Sequence, residues 1–124
     1  MTVLAEQFLF DLGPLAGQAF RPRYNIAPTQ SVPGVRLDAD GKRELALLHW
    51  GLIPSWAKDK KIAYSTINAR GDTVATKPAF RSAFKKRRCL VLTDGYYEWQ
   101  KEGKAKLPWL YEFDRGNPFA FAGL

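Results

Sequence analysis

"CLVLTDGYYEWQKEGKAKLPWLYEFDRGNPFAFAGL", residues 89 to 124, decides the fold. Runs rich in Val, Leu, Tyr, Phe and Trp alternate with short clusters of Gly, Asp, Asn and Pro, the composition of strands joined by turns. The spacing predicts a strand over "CLVLTDGYYEW", a turn at "KEGKAK", a strand over "LPWLYEF", a turn at "DRGNP" and a last strand, "FAFAGL". The expected class is therefore mainly β with short helices. The final run stays apolar to Leu124 without a polar terminator, so an unpaired, adhesive strand edge is expected there, and missing sequence with it.

Upstream, "GVRL" and "ELALLHW" flank "DADGK", whose Asp-Gly pair is a turn signal between two strands of a hairpin. "FRPRYNIAPTQSVP", residues 20 to 33, carries Pro22, Pro28 and Pro33, so no regular element is expected to persist through it. Near the N-terminus, Val3, Leu4, Gln7, Phe8 and Phe10 suggest a short helix ended by Gly13 and Pro14. Pro78 suits the first turn of a second helix over residues 79–86, with Ala79, Phe80, Ala83 and Phe84 on its apolar side and Arg81 and Lys85 on an adjacent stripe.

A chain of 124 residues is expected to form a single domain, residues 1 to 124, able to bury a core. Hydrophobic residues at 46% and charged residues at 25% are ordinary globular composition, which excludes disordered and collagen-like classes. The lone Cys89 has no disulfide partner in the sequence and sits in the apolar "CLVL", where a small core role in a reducing compartment fits. The N-terminal stretch contains Glu6 and Asp11 and lacks a basic start, unlike a signal peptide or membrane span. A cytoplasmic, nucleoid-associated protein with no membrane partner, no metal site and no cofactor is the expectation.

The formal net charge of +7 is unevenly placed: residues 58 to 88 hold ten Lys and Arg against Asp59 and Asp72. Such a cluster is the electrostatic footprint of a nucleic-acid binder, and equally the footprint of a solvated basic helix face. Four segments add chemistry to it: Asn25 in "RYNIAPTQ", Trp50 and Trp56 in "WGLIPSW", Asn68 and Arg70 in "INAR", and Glu98 beside Trp99 in "DGYYEW". Aromatic rings provide stacking platforms for unpaired bases while Arg and Lys follow phosphates, so the set describes a groove for a single strand. Each member also has a plain structural role open to it: Trp50 as core, Asn25 and Asn68 bonding their own backbone, Glu98 as a strand-edge carboxylate. His49, on a strand, is assigned such a role.

The segments "RYNIAPTQSVPGVR", "WGLIPSWAKD", "INARGDTVATKPAFRSAFKKRRCLV", "DGYYEW" and "PFAFAGL" occur in an order that resembles the SOS response-associated peptidase (SRAP) family, from about Tyr24 to Leu124. The resemblance implies an open, barrel-like sheet with short helices, of which this chain holds part, and a cationic groove for single-stranded DNA with abasic sites. Asn68 and Glu98 match the family's active-site Asn and catalytic Glu. Arg70 and Arg81 match phosphate-contacting arginines, Asn25 lies in the matching loop, and Trp50, Trp56, Lys85, Arg87 and Trp99 fit a DNA-lining role. The family's nucleophile is an N-terminal Cys that closes a thiazolidine on the sugar aldehyde; here Met1 is followed by Thr2, and a family His carried downstream by an "HDRMP"-like motif is also missing. Three readings stay open: a crosslinking enzyme, a binding-only fragment, and a partial sheet that completes itself with a second copy.

Overall fold

The computed structural model describes residues 2–10, 12, 15 and 20–124. Two helices and six strands run in the order α1 (Thr2–Phe8), β1 (Ser31–Leu37), β2 (Arg43–His49), α2 (Arg81–Lys86), β3 (Cys89–Thr93), β4 (Gly95–Glu102), β5 (Ala105–Glu112) and β6 (Phe119–Gly123), with a 3₁₀ helix at Lys60–Ser65 between β2 and α2. The strands form two sheets: one of four strands in the order β2-β1-β3-β6, and the two-stranded β4-β5. Neither closes into a barrel, in keeping with the open, mainly β architecture expected.

The "DADGK" hairpin forms as its residues dictate. The Asp38 side chain accepts the backbone N–H groups of Asp40 and Lys42 at 2.9 and 2.8 Å, and Gly41 takes the left-handed φ of 77° that the turn needs. The strand before it begins earlier than the prolines suggest: β1 starts at Ser31 and pairs Pro33 with Leu47. On its other side β1 pairs with β3 only at Gly34 and Val35, so Pro33 lies outside that ladder, a position a proline tolerates.

Register puts Val35 opposite Leu45 and Leu92 opposite Ala120, all on one face of the large sheet. That face carries the core: Phe10, Val35, Leu45 and Leu92 are buried, with Leu4, Ala5, Phe8, Leu12, Leu15 and Phe20 packed against them from α1 and the segment that follows it. Burying side chains of this size is worth about 1.5–3 kcal/mol each. The helix stops at Phe8 because Leu9 turns left-handed, at φ 53°, and the Phe10 N–H reaches back to the Ala5 carbonyl at 3.2 Å, closing a Schellman-type end. The predicted stop at Gly13 and Pro14 lies outside the described residues. The second helix is shorter than its pattern: turns occupy 78–80 and α2 starts at Arg81, with Phe80 and Ala83 buried.

The run "CLVLTDGYYEW" is two strands rather than one. It breaks at Asp94, where the Thr93 hydroxyl donates to the Gly95 carbonyl at 2.6 Å, and β3 and β4 then join different sheets. The turn expected across "KEGKAK" contracts to Gly103 and Lys104, with Glu102 paired to Ala105 and Gly103 at φ 59°. The last strand, expected to lack a partner, pairs through all five residues with β3 and leaves one side open among the described residues. No helix among the described residues is long and apolar enough to cross a membrane.

Candidate nucleic-acid interface

Trp50 organises the first part of the site. Its backbone N–H donates to the Gln30 carbonyl at 3.0 Å, and its carbonyl accepts the Thr29 N–H at 2.8 Å, which pins the end of the proline-rich loop to the end of β2. Its indole N–H donates to the Ile67 carbonyl at 3.0 Å, next to Asn68. The loop is braced further by Gln30, whose side-chain oxygen accepts from the Ala27 N–H at 3.1 Å and from the Arg23 guanidinium at 2.8 Å. From the other side the Tyr97 hydroxyl donates to the Tyr24 carbonyl at 3.0 Å, tying β4 to the residue before Asn25. Asn25 and Asn68 are thus exposed side chains on backbone held by distant elements, the arrangement of presented groups rather than of slack loops.

Between Trp50 and Asn68 the chain is folded tightly for a stated reason. Gly51 has φ 118°, and a Cβ there would stand 2.7 Å from the Ala63 carbonyl oxygen, so only glycine lets the 3₁₀ helix approach the end of β2. Asp59 caps that helix by accepting the Lys61 N–H at 2.9 Å, and the buried Thr66 hydroxyl reaches the Leu52 carbonyl at 2.6 Å. Trp56, from the same stretch, is 58% exposed and available as a stacking face. Trp50 is half-buried and serves as a strut.

The cations divide into three kinds. Arg70 is exposed but engaged: its fork holds the Asp72 carboxylate at 3.1 and 2.7 Å. This bond raises the guanidinium's pKa, and it is also the largest cause holding the Asp72 carboxyl below its ordinary range, with the backbone N–H groups of Asp72 and Thr73 adding to it. Arg81 and Lys85 line one open hollow of about 630 Å³ with Lys86, Arg88, Ser82 and Phe84. Arg87 does not line it; its guanidinium turns to the Ser82 hydroxyl at 3.3 Å. Lys86 and Arg88 are the members of this cluster that the resemblance did not single out, although the charge run contained them.

Glu98 lies on an exposed hairpin face whose other members sequence reasoning missed. Register places it directly opposite Trp109, while Tyr96 and Tyr111 form the next pair, stacked with centroids 5.3 Å apart. A hollow of about 310 Å³ is lined by Glu98, Trp99, Gln100, Trp109 and Tyr111. The signal that finds Trp109 is the two-residue turn at Gly103, since turn length alone fixes which residue opposes Glu98. Asn68 and Glu98 share no hydrogen bond; the Trp50 and Tyr97 tethers connect their backbones through the loop at 24–30. Cys89 is half-buried on β3, and burial raises its thiol pKa above the ordinary value. His49 directs Nδ1 to the Gly51 carbonyl at 2.9 Å, the structural use expected of it. Among the described residues no group of three His, Cys, Asp or Glu side chains is placed to hold a metal.

Open sheets, a pinned polar loop and a cationic helix face define a mainly β protein with a charged, aromatic-flanked surface. The chain belongs to the SRAP family, "SOS response associated peptidase", whose family model matches residues 3–124. It is 43% identical over 122 residues to the abasic site processing protein YoqW of Bacillus subtilis, covering 98% of this chain and 54% of that one. It is 40% identical over 105 residues to the abasic site processing protein HMCES of Xenopus tropicalis, covering 76% of this chain and 31% of that one. A crystal structure of a protein from Bacteroides thetaiotaomicron overlays with a TM-score of 0.78 at 27% identity, over 97% of this chain and 53% of the other. The chain spans about half the length of YoqW and about a third of that of HMCES.

Proposed function

We propose that this chain grips single-stranded DNA at abasic sites. The observation that carries the reading is the network centred on Trp50, which fixes the Asn25 loop and the Asn68 segment relative to one another and, through Tyr97, to the strand bearing Glu98. Arg81, Lys85, Lys86 and Arg88 neutralise backbone phosphates, with Arg70 joining when a phosphate replaces Asp72. Trp56 and Trp99 stack on unpaired bases. The Asn68 amide orients the aldehyde oxygen of the opened sugar, and the Glu98 carboxylate accepts or returns a proton as an amine adds to that aldehyde and water leaves. The relatives named as abasic site processing proteins support the lesion as the target.

Binding without a lasting crosslink is the favoured form for the sequence in hand. Among the described residues the lone thiol, Cys89, is half-buried on β3, a poor setting for a nucleophile. The test is a fluorescence-anisotropy titration of an abasic single strand, an intact single strand and a duplex across a salt series. Preference for the single strands is expected, strongest for the abasic one, with a log–log salt slope of about −0.7 per phosphate neutralised. Equal affinity for duplex, or affinity indifferent to salt, counts against the reading. A heat-resistant adduct formed without borohydride reverses the non-covalent part.

A further inference from the structure

Thr29 is held in a backbone conformation that its own side chain disfavours. Among the described residues Leu9, Thr29, Asp114 and Arg115 are the non-glycine positions with positive φ, and Thr29, at 72°, is the β-branched one. The Gln30 N–H donates to the Ala27 carbonyl at 3.2 Å, so residues 27–30 form a turn with Pro28 second and the left-handed Thr29 third. This is the φ pattern of a type II turn, whose third place ordinarily takes Gly or Asn. The turn is enforced from outside, because the Thr29 N–H donates to the Trp50 carbonyl at 2.8 Å and the Trp50 N–H to the Gln30 carbonyl at 3.0 Å. Glycine would make the same backbone bonds without the strain. The Thr29 hydroxyl has no hydrogen-bond partner among the described residues and the side chain is exposed, so neither packing nor internal bonding accounts for it.

A cation is fixed beside that turn. Arg23 directs Nη2 to the Gln30 side-chain oxygen at 2.8 Å and Nη1 to the Ser31 carbonyl, so its fork is anchored on the two residues that follow Thr29. The same Gln30 oxygen accepts the Ala27 N–H at 3.1 Å, which ties the guanidinium to both ends of the turn. Both of its acceptors are neutral. Among the described residues Arg36 is paired with Glu44 and Arg70 with Asp72, while Arg23 has no carboxylate. Its charge is therefore uncompensated although its side chain is already ordered, and Nε with one N–H on each terminal nitrogen remains for an outside acceptor. A pre-ordered guanidinium beside a hydroxyl suits an anion with several acceptor oxygens.

We propose, building on the single-strand reading above, that Arg23 and the Thr29 hydroxyl together seat one internal backbone phosphate of the bound DNA. The guanidinium supplies the charge and the hydroxyl a neutral donor. Neither residue lines the α2 hollow, so the strand is gripped at a second place. The turn is bonded to the Trp50 backbone, and the Trp50 indole N–H is bonded to the Ile67 carbonyl, so a phosphate in this seat stands in a fixed relation to Asn68. Phosphate contacts set register, and this one places the adjoining sugar against the Asn68 segment.

The test is fluorescence anisotropy with an abasic single strand bearing no terminal phosphate, in which one internal phosphate at a time is replaced by a neutral methylphosphonate. At one position the replacement is expected to weaken binding by the unaltered chain about tenfold, yet hardly to change binding by Arg23→Gln or Thr29→Val. Thr29→Val keeps the branched shape without the hydroxyl and is expected to weaken binding about fivefold at an unchanged salt slope, with Thr29→Ser restoring the affinity. Arg23→Gln is expected to reduce the magnitude of the slope by about 0.7. Thr29→Gly is expected to unfold in urea at or above the midpoint of the unaltered chain and still to bind as weakly as Thr29→Val. Single-strand binding with no such phosphate position, or with Thr29→Val as tight as the unaltered chain, overturns the seat and leaves the single-strand reading standing. An unaltered chain that shows no preference for single strands overturns both.

Discussion

The Trp50 indole donates its N–H to the Ile67 carbonyl at 3.0 Å, joining the end of β2 to the segment that presents Asn68. Trp50→Phe keeps an aromatic ring but removes the donor and leaves a half-buried carbonyl unpaired. A loss of about 1–2 kcal/mol is expected in denaturant unfolding at unchanged m-value, with weaker binding of single-stranded DNA. Trp56→Phe is the control: that side chain is 58% exposed and its substitution should leave stability within about 0.5 kcal/mol.

Arg70 and Asp72 form an exposed pair in which the carboxylate occupies the fork a phosphate would take. Asp72→Asn should lower thermal stability only slightly, tighten binding of single-stranded DNA at low salt and steepen the log–log salt slope by about 0.7. The pH dependence has a definite sign. Asp72 titrates below its ordinary 3.8 in the folded chain, so the pair's contribution is present above that value and is lost as pH falls through the lowered one. A carboxyl carbon titration by NMR with a midpoint at or above 3.8 contradicts the pairing.

The strands, the Asp-Gly hairpin and the basic cluster were legible because each is written locally, in period-two apolar runs, turn residues and charge. The break at Asp94 was not, since both sides favour strand and only the partners differ, β6 for one and β5 for the other. Trp50's role was hidden for a similar reason: its acceptor lies 17 residues away and is a backbone carbonyl, which leaves no mark in side-chain pattern. The Glu98 and Trp109 pairing depends on a turn of two residues inside a six-residue polar stretch, where several registers fit the sequence equally well. Asp72, two residues from Arg70, was in plain view, but a charge count treats it as dilution of the cluster and not as a partner.

Cys89 and Gly123 face each other across β3 and β6. A Cβ at Gly123 would lie 2.7 Å from the Cys89 sulfur and 3.0 Å from a Val91 methyl, so Gly123→Ala overpacks the pair and should cost about 1–3 kcal/mol. Adding Cys89→Ala removes the sulfur and should recover most of that loss, which a double-mutant cycle measures directly. In the unmodified chain the half-buried thiol should alkylate more slowly than a free cysteine, with its rate midpoint above pH 9.0. Additive losses in the cycle would show that Gly123 is constrained by something other than Cys89.

Arg81 and Arg87 look alike in the sequence, yet they face different surroundings. Arg81 lines the open hollow with Lys85, Lys86 and Arg88, whereas Arg87 bends to the Ser82 hydroxyl at 3.3 Å and stays outside it. A phosphate seated in the hollow would meet Arg81 directly, and Arg87 only past the Ser82 hydroxyl to which it is bonded. Arg81→Ala should therefore reduce the magnitude of the salt slope for single-stranded DNA by about 0.7 and weaken binding across all sequences alike. Arg87→Ala should leave the slope nearly unchanged, although both variants lose one positive charge. Equal effects from the two would mean that net charge alone governs binding and that the hollow has no part in it.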